Sequence, residues 1–227
     1  MNKKPHYLGH RERLKERFQK VGYLGMHDYE LLEMVLCLAI PRGDVKPIAK
    51  ELLMRFKTLE GVFHADPLLL AEIKGIGPSS IHTLKIILSI HQRMLQMKLH
   101  KKHLLTNFEQ VLDYCYTHMA FERIEEIRIL FLDAKMNLMK DEVHQRGSVT
   151  SSTLYVQEII KKALDLGSTG MILIHNHPSD DTTPSDSDKN LTNFLSLTAK
   201  PLNITLHDHI IIGKNGYFSF RQENLLK

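Results

Sequence analysis

The sequence predicts an α/β protein of the α+β kind, an all-helical first part followed by a mixed sheet. Three observations predict it. Apolar residues recur at helical spacing through the first hundred positions, the period changes to two after about residue 126, and the strand-like runs beyond that point alternate with helix-like ones. At 227 residues, 43% of them hydrophobic and 25% charged, the chain can build one large core or two modest ones.

The elements follow in order. RERLKERFQKVG carries apolar positions at helical spacing and stops at Gly22; DYELLEMVLCLAI starts a second helix with Asp28 as its expected N-cap. DVKPIAKELLMRF starts a third at Asp44, with Pro47 in its first turn. DPLLLAEIKGIGPSSIHTLKIILSIHQRMLQMKL reads as a short helix, a hairpin at Lys74-Gly75-Ile76-Gly77, and a long helix. The hydrophilic stretch HKKHLLTN then marks a boundary near residue 104, giving domains 1–104 and 105–227. In the second domain, 127–134 and 137–147 read as strands joined by a tight turn, and a helix spans about 155–166, ending at Gly167. A strand at 171–177, a helix in DSDKNLTNFLSLTAK, a strand at 204–213 and a last short strand in YFSF after the Asn215-Gly216 turn complete it.

Composition excludes several classes. No apolar run approaches the roughly 18 residues that span a bilayer. The opening MNKKPHYLGHRERLKERF has charges where a signal peptide has its apolar stretch, so a cytoplasmic protein with no membrane role is expected. Cys37 and Cys115 share no CxxC spacing and sit among apolar neighbours, which suits buried free thiols rather than a zinc site. Residues 1–105 hold 18 Lys+Arg against 10 Asp+Glu, a net +8, whereas the remainder is net −4. A basic half suits an anionic partner such as DNA, although solvated helix faces produce the same surplus.

The chemistry concentrates in ILIHNHPSDDTTPSDSD, residues 172–188. Side chains alternate along a strand, so His175 and His177 project from one face and Asn176 from the other. Asp188 returns at the start of the next helix, and two histidines plus one carboxylate match the three protein ligands of an open Zn²⁺ site. Ser185 and Asp188 also fit S-x-x-D, a capping box that needs no metal. From these residues alone a metal site and a capped helix start are equally good readings. A water-activating site also needs a base, and Glu142, sharing a strand face with Lys140 and His144, is the carboxylate best suited to it. Taken alone, an ordinary solvated strand residue is the commoner identity for Glu142.

Glu142, then His175-x-His177-Pro178, then Ser185-x-x-Asp188 resembles the JAMM (JAB1/MPN) metalloprotease signature. DEVHQRGS, ALDLGSTGMILIHNHPS, TPSDSD and HDHIIIG are similar to the bacterial RadC family, named for DNA repair, and GHRERLKERF, DYELLE, AIPRGDVKPIAK and EIKGIG resemble its N-terminal region. The resemblance implies an MPN/JAB fold, cytidine deaminase-like, with Zn²⁺ held by His175, His177 and Asp188. It implies Glu142 as general base and acid, Ser185 as a donor to the developing oxyanion, and hydrolysis of a peptide or isopeptide bond in an unidentified protein substrate by metal-activated water. The chain departs from the family at Asp180 and Thr182, which replace Gly and Pro; if that Gly has positive φ, the shape of the loop is at stake, not the ligand set. From the trio His207, Asp208 and His209, one outer hydrogen-bond partner for the ligands is expected.

Lys74, Gly75 and Gly77, followed by a helix start, resemble a helix-hairpin-helix element that binds a DNA phosphate without reading sequence. A compact helix-to-helix turn needs the same glycines. Two alternatives to the peptidase therefore stand: a DNA-binding repair or recombination accessory without protease activity, and a metal-dependent nuclease.

Overall fold

The computed structural model describes residues 9–99, 108–146 and 152–226. By its contacts the chain divides into two units, residues 1–91 and 92–227; the expected boundary at 104 lies outside the described residues. No helix among the described residues is long and apolar enough to cross a membrane.

The first unit is helical: α1 (His10–Val21), α2 (Asp28–Ala39), α3 (Lys46–Phe56), α4 (Leu59–His64), α5 (Pro67–Ala71) and most of α6 (Pro78–Leu99). Gly22 ends α1 with φ 64°, a conformation that glycine adopts without steric cost. Asp28 is the first residue of α2 rather than its cap. The cap is His27, whose amide donates to Glu30 Oε2 at 3.0 Å. Asp44 likewise stands just before the cap Val45 and accepts from the Lys46 amide. Helix α4 has no counterpart in the sequence expectation; Thr58 caps it by accepting from Gly61 N at 2.9 Å. The core gathers Leu32, Leu36, Ala49, Leu52, Val62, Leu70, Ile73 and Leu84. Part of the basic surplus is spent inside this unit. Arg11 donates to the carbonyls of Ile40, Pro41 and Gly43, and Arg17 pairs with the buried Glu30 at 2.7 Å. Cys37 is half-buried, contrary to expectation, whereas Cys115 in the second unit is fully buried.

The second unit is built on a five-stranded sheet ordered β2-β1-β3-β4-β5. Its strands are β1 (Glu126–Leu132), β2 (Leu138–Arg146), β3 (Gly170–Asn176), β4 (Thr205–Ile212) and β5 (Tyr217–Ser219). Only β3 and β4 pair in parallel, with α9 (Asp186–Ala199) making the crossover; the other pairs are antiparallel. Alternation sorts the side chains onto two faces. Ile129, Phe131, Met171 and Leu173 pack towards α8 (Ser152–Leu166) and α9, whereas Leu130, Leu132, Ile172, Ile174 and Ile210 pack against α7 (Phe108–Met119). The sequence reading did not anticipate α7, although Val111, Tyr114, Cys115 and Met119 bury one helical stripe.

A polar cluster interrupts the α7 face. Arg128 Nη1 reaches both Asp141 oxygens at 2.9 and 2.8 Å, Nη2 reaches Glu126 Oε1 at 2.9 Å, and the Tyr114 hydroxyl accepts from Arg128 while donating to Asp141. Buried charges cost free energy unless they are hydrogen-bonded, and here the two terminal nitrogens of Arg128 are engaged while its Nε has no partner among the described residues. Tyr114→Phe should therefore lower the unfolding free energy by about 1–3 kcal/mol in a urea titration while leaving metal content unchanged.

Candidate metal centre

The face that packs against α8 and α9 turns polar at one end of the sheet. His175 is the last member of the Met171–Leu173–His175 face of β3, stands opposite Ile127 of β1 and Ile211 of β4, and is fully buried. His177 lies just past the strand, fixed by its amide donating to Ile212 O at 2.9 Å. Asp188 sits in the first turn of α9. Ser185 caps that helix: its hydroxyl and amide donate to Asp188 Oδ2 at 2.6 and 2.7 Å, and its Oγ accepts from Asp188 N at 3.2 Å. The capping box therefore also sets the orientation of the Asp188 carboxylate. Ser185 holds Oδ2, which leaves Oδ1 aimed at His175.

His175 Nε2 lies 2.9 Å from His177 Nε2 and 3.3 Å from Asp188 Oδ1, and His177 Nε2 lies 3.6 Å from Asp188 Oδ2. Glu125 completes a group of four whose ligand atoms all fall within 4.8 Å of one another. Two donors bonded to a tetrahedral Zn²⁺ at about 2.0–2.1 Å stand roughly 3.3–3.4 Å apart, which the His175–Oδ1 separation matches, whereas the His177 separation is measured to Oδ2, the oxygen that Ser185 holds. The donor chemistry agrees. His177 Nδ1 faces the Asp181 carbonyl at 2.5 Å; a carbonyl only accepts, so Nδ1 carries a proton, and Nε2 is the nitrogen turned towards His175 and Asp188.

The electrostatics favour a cation. Burial works against ionising Asp188, but its hydrogen bond to His177, the nearby His175 and the Ser185 donors outweigh that and hold its carboxyl below the usual range. The His177 imidazole is raised, first by its hydrogen bond to Asp188. Burial pushes His175 down to about 4, against the pull of Asp188, so this ring is neutral near pH 7. Glu125 is raised, by burial first and then by the charge on Asp188.

The position of Glu125 has a local cause. Asn176, fully buried on the opposite face of β3, accepts from Glu126 N at 2.7 Å and donates to Ile124 O at 3.2 Å. It grips the backbone on both sides of Glu125, and strand parity with Ile127 then turns the carboxylate towards His175.

The family model described as the RadC-like JAB domain matches residues 105–225, the segment that carries this whole arrangement. The chain belongs to the RadC family.

This RadC-family domain brings His175, His177 and Asp188 together but places Glu142 elsewhere. Glu142 is on the expected face, yet on β2, opposite Ile129, where it pairs with Lys162 of α8 at 3.0 Å. Two strand spacings and two residues of rise put it on the order of 12 Å from His175, backbone to backbone. The carboxylate at the centre is Glu125, which sequence reasoning missed; the signal was its parity with the apolar face of the following strand. Ser185 gives its one hydroxyl proton to Asp188, so an oxyanion role would require it to leave that carboxylate. Of the trio on β4, only His209 reaches the site. Asp208 points to the other face and accepts from Ser219 Oγ and Arg221 N, while His207 packs over Gly170, where a Cβ would stand 2.5 Å from its Nε2.

The departure at Asp180 has a physical account in this RadC-family loop. Asp180 adopts φ 69°, and its carboxylate accepts from the amides of Lys214 and Asn215 and from the Asn215 side chain, tying the His177 loop to the β4–β5 turn. Gly213 leaves room for that carboxylate, since a Cβ there would meet Asp180 Oδ1 at 2.7 Å. These bonds offset the cost of a left-handed aspartate, of the order of 1–2 kcal/mol. Asp180→Ala retains the strain and loses the bonds; it should reduce stability by about 1–2 kcal/mol on thermal unfolding.

Proposed function

We propose that this chain is a JAMM-type zinc metallopeptidase or isopeptidase that hydrolyses an amide bond in a peptide or protein substrate. One observation carries the reading: His175, His177 and Asp188 offer ligand atoms within 4.8 Å of one another and of Glu125, a half-buried carboxylate whose pKa is raised. Zn²⁺ in this site supplies Lewis acidity, which makes water acidic near neutral pH and polarises a carbonyl. His175 and His177 would hold the ion through the imidazole nitrogens that face the group, and Asp188 through the carboxylate that Ser185 orients. Glu125 takes a proton from water on its carboxylate and delivers it to the departing amine, a task suited to a carboxyl raised towards the working pH. The test is a metal analysis of the purified chain together with a peptide and isopeptide library screen, run with and without chelator. One zinc per chain and cleavage that chelation abolishes are expected; a chain that binds zinc and cleaves nothing would overturn the enzymatic part.

A second reading is favoured by the hairpin. Ile73 and Ile76 anchor it in the core while Lys74 and Gly75 stay exposed, and Gly75 has φ 93° with Ile48 where a Cβ would go. This leaves a cation and the start of α6 at the surface, a geometry that suits a DNA phosphate. Lys74→Glu in the full chain should then weaken DNA binding and lower the slope of log affinity against log salt by about 1. An unchanged slope would assign the hairpin to scaffolding.

A further inference from the structure

The tautomer of a ligand histidine decides which nitrogen can meet a metal, and in this fold a chain of hydrogen bonds behind His175 sets it. The Thr192 hydroxyl lies 2.6 Å from the Asp188 carbonyl oxygen and 2.6 Å from His209 Nδ1; His209 Nε2 lies 2.7 Å from His175 Nδ1. All of these groups are buried.

Proton counting orients the chain. The Asp188 carbonyl can only accept, and the single proton between two oxygens 2.6 Å apart must come from Thr192. With that proton committed, Thr192 Oγ1 can only accept from His209, so His209 is protonated at Nδ1. A neutral imidazole protonated at Nδ1 has its lone pair on Nε2, and that nitrogen must accept from His175 Nδ1–H. His175 is then bare at Nε2, the atom that faces His177 and Asp188. Both rings are fully buried, where a charged imidazole is disfavoured, and Phe220, stacked on His209 at 4.6 Å and 12°, holds its plane.

We infer that Thr192 and His209 are positioning residues that lock His175 in the Nδ1-protonated tautomer and so keep its Nε2 lone pair available to the metal. The inference rests on the proposed metal centre. It also explains why α9 supplies both a ligand and the origin of the relay: one hydroxyl, four residues on from Asp188, ties the helix backbone to β4.

Thr192→Val keeps the shape and removes the acceptor. His209 then gains nothing by protonating Nδ1; with the proton on Nε2 it would donate to His175 Nδ1 and drive the His175 proton onto the metal-facing nitrogen. Two measurements on the full chain test this. Imidazole ¹⁵N NMR of the metal-free protein should show His175 protonated at Nδ1 in the wild type and in Thr192→Ser, and at Nε2 in Thr192→Val. Zn²⁺ affinity from chelator competition should fall about 10–100-fold in Thr192→Val and recover in Thr192→Ser. A wild-type His175 protonated at Nε2, or a Thr192→Val variant that binds Zn²⁺ like the wild type, overturns the inference. If the wild type takes up no zinc, the metal reading falls, and the relay is then decided by the imidazole spectrum alone. His209→Gln, which retains an acceptor for His175, guards against a fold defect in Thr192→Val: zinc affinity above that of Thr192→Val supports the relay.

Discussion

Glu125→Gln should load with zinc like the wild type and hydrolyse the substrate found in the library screen about 10²–10⁴-fold more slowly, the range expected when a positioned general acid–base group is lost. Glu142→Gln should load zinc and hydrolyse that substrate at the wild-type rate. The contrast is sharp because both carboxylates lie on the same sheet face and differ in the strand that carries them. Glu125 stands in the group with His175, His177 and Asp188, while Glu142 is neutralised by Lys162 at 3.0 Å on the edge strand. Steady-state rates with zinc content measured on the same samples decide it. An active Glu125→Gln beside an inactive Glu142→Gln would put the proton carrier on β2.

His175→Ala should abolish stoichiometric zinc binding, with an affinity loss exceeding the about 10–100-fold that follows removal of an outer partner. It deletes the most buried of the three donors and leaves only His177 and Asp188 beside Glu125 in the group. The effect extends to stability, because an ion bound only by the folded chain stabilises it by about 2.7 kcal/mol at 100 times Kd and about 4.1 kcal/mol at 1,000 times Kd. Chelation should therefore lower the melting temperature of the wild type and leave that of His175→Ala unmoved. An equal chelator response in both chains would remove His175 from the ligand set.

Much of the fold was legible because local period reports local structure. The alternation in 127–134 and 171–177, the turn residues at Asn215-Gly216 and the Ser185-x-x-Asp188 start all correspond to elements found at those positions. Helix α7 was equally legible from the spacing of Val111, Tyr114, Cys115 and Met119. The cap at His27 was not legible, since histidine is a weak capping signal and Asp28 beside it a strong one.

By itself, the sequence determined the two-part architecture and the small set of residues with ligand chemistry, because both depend on neighbours within one strand or one helix turn. Which carboxylate joins the histidines, and which member of His207-Asp208-His209 stands behind His175, were decided by strand order and by the register shift in β4. Those choices bring together side chains dozens of residues apart, from Glu125 to His209. A period of two says which face a residue takes and nothing about which strand will lie beside it.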